Sequence, residues 1–311
     1  MATELKIALL SVAPIAHRAR ASHFFAAIPE YWALTKPEVN FLILITTLAG
    51  FYLALGTTPR GFPVMLALHT LLGTLLMAGG TGTLNQFIER CFDAQMRRTA
   101  RRPLAAGRLK ASYVLWFGIA SSVVGAVYLA LAVNVLASLL AVVTLLSYLF
   151  LYTPLKRKTP LCTLIGAFAG AVPPLIGWAA ACGRLGLGAW VLYAVVFLWQ
   201  FPHFMAIAWM YREDYARAGY LILPGGKQRD RFATWQTLVP SVALLAVSLV
   251  PGIIGESGLV YSVAALICGS IFLYYSAHFV FRRSNVAARQ LLTASIVYLP
   301  LVFMLMTLDK K

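Results

Sequence analysis

Residues 85–93 read Asn85-Gln-Phe-Ile-Glu89-Arg-Cys-Phe-Asp93. Positions i, i+4 and i+8 of a helix differ by about 40° per step, so an amide and two carboxylates line one face. A column of oxygen donors suits Mg²⁺, which takes one or two carboxylates together with substrate phosphate oxygens. A plainer reading pairs Glu89 and Asp93 with Arg90, Arg97 or Arg98 at a solvated helix end. The motif alone does not choose between the two.

Neighbouring segments bear on that choice. Arg97-Arg98-Thr99-Ala-Arg101-Arg102-Pro103-Leu104 follows the motif, and a later apolar run ends Tyr152-Thr-Pro-Leu-Lys156-Arg157-Lys158. Carboxylates among cations fit a metal-bound diphosphate, the acids holding the metal and the cations taking the remaining phosphate charge. Membrane topology would account for most of these cations one by one, but not for the two acids among them. A third segment, Trp199-Gln-Phe-Pro202-His203-Phe204, precedes Glu213-Asp214-Tyr215. Asp214, with Glu213 beside it, supplies a second acidic group. His203 lies next to a helix-distorting proline, and it reads equally as a hydrogen-bonded structural residue or a functional one. His69 has no acidic neighbour and reads as structural. Cys91, Cys162, Cys182 and Cys268 show neither metal-ligand nor disulfide spacing and read as small core residues.

The elements that must position these groups are membrane helices. The chain has 311 residues, 60% hydrophobic and only 12% charged, which excludes an ordinary soluble domain. Apolar runs long enough to cross a bilayer recur near 39–56, 64–84, 113–132, 134–152, 161–182, 188–209, 235–253, 257–280 and 290–308. With the N-terminus placed in the cytoplasm, every Lys and Arg except Arg60, Arg184, Lys310 and Lys311 falls on the cytoplasmic side. That bias supports nine spans with the C-terminus outside. It also explains the net charge of +16 without nucleic acid as a partner. The acidic and basic motifs share the cytoplasmic side, so the chemistry is expected there. Residues 1–35 include His17, Arg18, Arg20 and Glu30 and show no cleavable signal; Phe24–Leu34 reads as an arm lying in the membrane interface.

At these residues the chain resembles the UbiA superfamily, the aspartate-rich intramembrane prenyltransferases. Asn85-x3-Glu89-x3-Asp93, Tyr152-x3-Lys156 and the acidic turn at Asp214 carry the resemblance. Leu34-Thr35-Lys36-Pro37, Met96-x-Arg98-Thr99-x2-Arg102-Pro103-Leu104, Pro202-His203-Phe204 and Glu213-Asp214-Tyr215-x2-Ala218-Gly219 with Leu223-Pro224 are similar to its heme-farnesylating branch. The likeness runs from about residue 30 onward. Two departures are Glu89 where aspartate is usual and Ala218 where many members carry a second Asp-x3-Asp; the single acid that remains, Asp214, resembles the heme branch.

The resemblance implies a UbiA-type all-α bundle of nine transmembrane helices over 36–311, with 1–35 as a cytoplasmic arm. It implies transfer of farnesyl from farnesyl diphosphate to a vinyl group of heme B, giving heme O for terminal oxidase assembly in a bacterial inner membrane. Mg²⁺ is expected on Asn85, Glu89, Asp93 and Asp214, and the diphosphate on Arg98, Arg102, Lys156 and Arg157. Tyr152 and His203 join the catalytic set, and Trp199 and His203 lie on the acceptor side. The lipid bilayer and a downstream heme A synthase or oxidase assembly factor are the further partners. Rival readings are a sister enzyme with a quinone-precursor or chlorophyll-like acceptor, a secondary transporter, and a heme-binding electron carrier using His69 and His203. The transporter would place ionisable groups at mid-bilayer, and the carrier leaves the acids unexplained.

Overall fold

The structure is a computed structural model and describes residues 24–56 and 61–311. His17, Arg18, Arg20 and Arg60 lie outside the described residues. Among the described residues, nine helices are long and apolar enough to cross a membrane: Pro37–Ala54, Val64–Asp93, Ala111–Ala132, Val135–Leu155, Cys162–Cys182, Leu187–Met210, Gln228–Ile253, Leu259–Arg282 and Asn285–Leu308. They are spans one to nine below. Leu131 and Phe281 are each 82% exposed on the bundle's outside, tolerable only where lipid is the solvent.

Several boundaries differ from the hydropathy reading, always at polar ends. Span two continues to Asp93 rather than stopping near 84, because its polar turn is satisfied inside the protein. Span seven begins at Gln228 rather than 235, and span nine at Asn285 rather than 290, with Ser284 capping Ala287 N–H. The division at Asn134 holds: its Oδ1 accepts from Ala137 N–H at 2.8 Å and its Nδ2 donates to the Ala179 carbonyl. Gly255, at φ 79°, makes the turn between spans seven and eight.

Two spans are not plain α-helix. Span five consists of Cys162–Gly170 and Pro173–Cys182, the helix restarting at prolines that have no N–H to donate. Span four widens into a π-turn over Ser147–Tyr152 before its last residues, Thr153–Leu155.

Spans one to five form one lobe and spans six to nine the other. Span two packs along span three and span one along span five, while span six meets spans seven and nine. Span five on span six, and span nine on span one, join the lobes. Small residues set the close contacts. A Cβ at Gly177 would collide with the Thr47 carbonyl of span one, and one at Gly125 would lie 2.9 Å from the Met77 backbone nitrogen.

Candidate active site

The acidic motif, the basic loop after span two and the end of span four meet at one end of the bundle. Asn85, Glu89 and Asp93 all face inward and are all buried. None of the cations adjacent in sequence pairs with them. Glu89 takes Lys156 of span four, with Nζ 2.8 Å from Oε1 and 3.1 Å from Oε2. Asp93 takes Arg102, with Nη1 2.7 Å from Oδ2. The helix-end pairing with Arg90, Arg97 or Arg98 is therefore not what forms. Arg90 turns to the Phe87 carbonyl and ring instead.

Asp214 comes from the other lobe, on the short helix Arg212–Arg217 after span six, and is buried. Its Oδ2 accepts the Arg98 backbone N–H at 3.2 Å, and its Oδ1 accepts from Arg217. Thr99, the next residue, donates to the Asp93 carbonyl. One turn of chain thus ties Asp214 to the end of the acidic helix. Two expectations need correction here. Glu213 does not join: its side chain is 80% exposed. Arg98 contributes its backbone, while its guanidinium lies over the rings of Tyr211 and Tyr215.

The expected ligand set is also not gathered as a ready cage. Among the described residues no three His, Cys, Asp or Glu side chains stand close enough to hold an ion. Bringing carboxylates together raises their mutual repulsion, and here each has its own cation. The donors nonetheless fit a hard divalent metal. They are all oxygen, and Asp93 Oδ1 is buried with no hydrogen-bond partner.

Lys156 sits in an aromatic box. Its Nζ is 4.5 Å from the centre of the Tyr152 ring and 6.0 Å from those of Tyr148 and Tyr220. The π-turn presents Tyr148 and Tyr152 together, their centroids 5.0 Å apart. Burial opposes the charge of Lys156, but Glu89, Tyr152 and Tyr148 outweigh it and hold its pKa well above the ordinary value. Arg157 lies over the Phe92 ring at 4.5 Å and lines, with Lys158, Glu89, Thr153 and Tyr220, a cavity of about 450 Å³ open to this end.

Sequence reasoning gave three of the residues here no role. Thr153 accepts from Asn85 Nδ2 at 3.2 Å. Tyr220 follows Gly219, whose φ of 70° turns the chain back toward Lys156. Lys36, just before span one, places Nζ 2.8 Å from Asn85 Oδ1. Burial, then Arg102 and Lys156, lower its pKa to about 7 against the pull of Glu89 and Asp93. Its signal was the Lys36-Pro37 step ahead of the first span, but no spacing ties it to a residue 49 positions away.

Trp199 and His203 form a second cluster. Trp199 stacks on His203 with centroids 4.7 Å apart and donates Nε1–H to the Ser295 carbonyl of span nine. Ser295 Oγ donates to Leu292 and lies 2.8 Å from His203 Nδ1. With its one proton so used, the serine can only accept, so this network assigns the proton to Nδ1 and leaves the lone pair on Nε2. His203 is seven residues before the end of span six, about 10 Å deeper than the helix end. His69 meets Tyr128 instead, Nδ1 lying 2.6 Å from its hydroxyl.

These features define a polytopic helix bundle with a combined acidic and basic site at one membrane boundary, and the chain belongs to the UbiA prenyltransferase family, whose model matches residues 43–304. Within it, the chain is similar to proteins named protoheme IX farnesyltransferase. One from Solibacter usitatus (strain Ellin6076) is 48% identical over 90% of this chain and 98% of its own length. Another, from Koribacter versatilis (strain Ellin345), is 41% identical over 90% and 93%. Among solved structures, a digeranylgeranylglyceryl phosphate synthase matches with a TM-score of 0.72 at 18% identity over 91% of this chain and 98% of that one. A UbiA homolog from Archaeoglobus fulgidus bound to GPP and Mg²⁺ matches at 0.63 and 15%, over 89% and 99%. At such identities the structures establish the fold alone.

Proposed function

We propose that this enzyme transfers the farnesyl group of farnesyl diphosphate to a vinyl group of heme B, giving heme O. The observation that carries the reading is the pairing of buried acids with cations, Glu89 with Lys156 from span four and Asp93 with Arg102 from the loop after span two, at one membrane boundary. The similarity to protoheme IX farnesyltransferases supplies the substrates. The similar fold of the A. fulgidus homolog, bound to GPP and Mg²⁺, supports a metal-assisted diphosphate.

Asn85, Glu89, Asp93 and Asp214 would hold Mg²⁺, which supplies charge neutralisation to the leaving diphosphate. Arg102, Lys156 and Arg157 take the phosphate charge that grows as the allylic C–O bond breaks. Arg98 holds Asp214 in place and lends its charge from the rim. Tyr152 and Tyr148 face the site with aromatic rings, whose π-faces stabilise a nearby cation without attacking it. The heme vinyl group donates its π electrons to the farnesyl carbon. Water then adds to the new carbocation and loses a proton, leaving a hydroxyethylfarnesyl chain and free diphosphate. Trp199 and His203 lie on the acceptor side, with Nε2 of His203 free to accept.

Residues 36–311 form the catalytic domain, set in a bacterial inner membrane with the site facing the cytoplasm. An arm, described from residue 24 on, lies on that face. Its helix Phe24–Leu34 is tied to the bundle by Glu30–Arg108, by Tyr31 against Phe117, and by Gln86 donating to the Leu34 carbonyl. The apolar product enters the bilayer, where a downstream heme A synthase or oxidase assembly factor would receive it. Incubating the purified protein with heme B, farnesyl diphosphate and Mg²⁺, then extracting heme for mass analysis, tests this reading. A mass gain of one farnesyl group plus one hydroxyl group is expected. Unmodified heme from folded protein would rule it out.

A further inference from the structure

The loop between the arm helix and span one has a built geometry that the reaction as described leaves unused. Lys36 has φ 55° and ψ 64°, one of two non-glycine residues in the left-handed region among those described. For a residue with a Cβ this conformation costs on the order of 1–2 kcal/mol and persists only where the surroundings enforce it. They do so here. Asn40 Nδ2 holds the Thr35 carbonyl at 2.8 Å, and Gln86 holds that of Leu34 at 2.8 Å. Gly79 and Gly82 leave span two open to the loop; a Cβ at Gly79 would stand 3.3 Å from Thr35. Pro37 starts the next helix without needing a partner for its nitrogen. All of this aims one ammonium at Asn85 Oδ1, the atom that a metal would take.

We infer that Lys36 is a diphosphate-binding residue that shares Asn85 with the metal: its ammonium rests on the amide oxygen and passes to a phosphate oxygen when metal and diphosphate arrive together. The inference rests on the proposed donor site and extends it. A four-carbon stem lets the ammonium move between two oxygens a few ångströms apart without moving the backbone. Because the same ammonium opposes bare metal and attracts diphosphate, its removal should act on the two ligands with opposite signs.

Lys36→Gln tests this, since glutamine keeps a donor for Asn85 and with it the local fold. Binding of Mn²⁺ alone is read by electron paramagnetic resonance. Binding of farnesyl thiodiphosphate, a donor that ionises poorly, is read by calorimetry with Mg²⁺ present and no heme. The variant should lose about tenfold or more in affinity for the analogue, the worth of a hydrogen bond to a charged group. It should hold Mn²⁺ severalfold better than the wild type, and Lys36→Arg should recover most of the analogue affinity. Equal analogue affinity in Lys36→Gln and wild type would overturn the role of Lys36 and leave the donor site standing. A parallel loss of Mn²⁺ and analogue would mark Lys36 as a merely structural prop and also overturn it. Failure of the wild type itself to bind the analogue would remove the donor site and this inference together.

Discussion

A carboxylate and an ammonium buried together at a membrane boundary depend on each other more than either contributes to net stability. Glu89 and Lys156 are 5% and 8% exposed, and removing one leaves the other charged without a partner. Lys156→Met should therefore lower unfolding stability in detergent by about 3–5 kcal/mol, and adding Glu89→Gln should restore most of it. Both variants should be inactive, because the phosphate cation is gone in each. Recovery of turnover together with stability would show the pair to be structural only. The same residues show how far the sequence could be read. The column Asn85, Glu89, Asp93 was legible, because a helix repeats every 3.6 residues and the three lie on one face. Its partners were not. Lys156 is 67 positions from Glu89 and Lys36 is 49 from Asn85, and no local periodicity spans such gaps. The nearest arginines were the natural candidates, yet Arg97 and Arg98 lie in the turns after the span, and it is Arg102, nine positions on, that reaches Asp93. Arg90, one step from Glu89, lies on a different side of the span.

At the level of elements, the helices were legible where lipid alone sets the rule and less so where the protein replaces lipid. Hydropathy and loop charge located all nine spans, but the polar ends of spans two, seven and nine ran past the apolar run. Helix continues wherever polar side chains find partners, and hydropathy cannot see partners. The break in span five was hidden too, since Pro173 and Pro174 read simply as apolar sequence. That break matters to packing, because Pro173–Cys182 carries Gly177 against the Thr47 carbonyl of span one. Gly177→Ala should force spans one and five apart at a cost of about 1–3 kcal/mol. The midpoint of unfolding in a denaturing-detergent titration measures it. An unchanged midpoint would mean that the two backbones are not in direct contact.

On the scale of the whole molecule, the site lies on the seam between the lobes. Lys36, the acids of span two and Lys156 come from the first lobe, and Asp214 and Tyr220 from the second. The Leu221 N–H to Lys156 carbonyl bond, 2.7 Å, crosses the seam. The basic loops lie at the same end, which the charge bias predicts to be the cytoplasmic end. Two native thiols report this orientation. Cys182 and Cys91 are both exposed and stand at opposite ends of the bundle. A membrane-impermeant maleimide added to intact cells should modify Cys182 and spare Cys91, as read by peptide mass mapping. The reverse pattern would invert the topology.

At the far end, Asp309 accepts the Tyr261 N–H and Lys310 reaches the carbonyls of Tyr52 and Leu55, so the first and ninth crossings are neighbours. A chain emerging from the ribosome in order cannot close such a circle until its ninth crossing has entered the bilayer. Until then span one lacks a flank and His203 lacks Ser295. Every stalled or shortened translation product would carry an open seam, an easy mark for membrane proteases and a safeguard against half-built enzyme loose in the lipid.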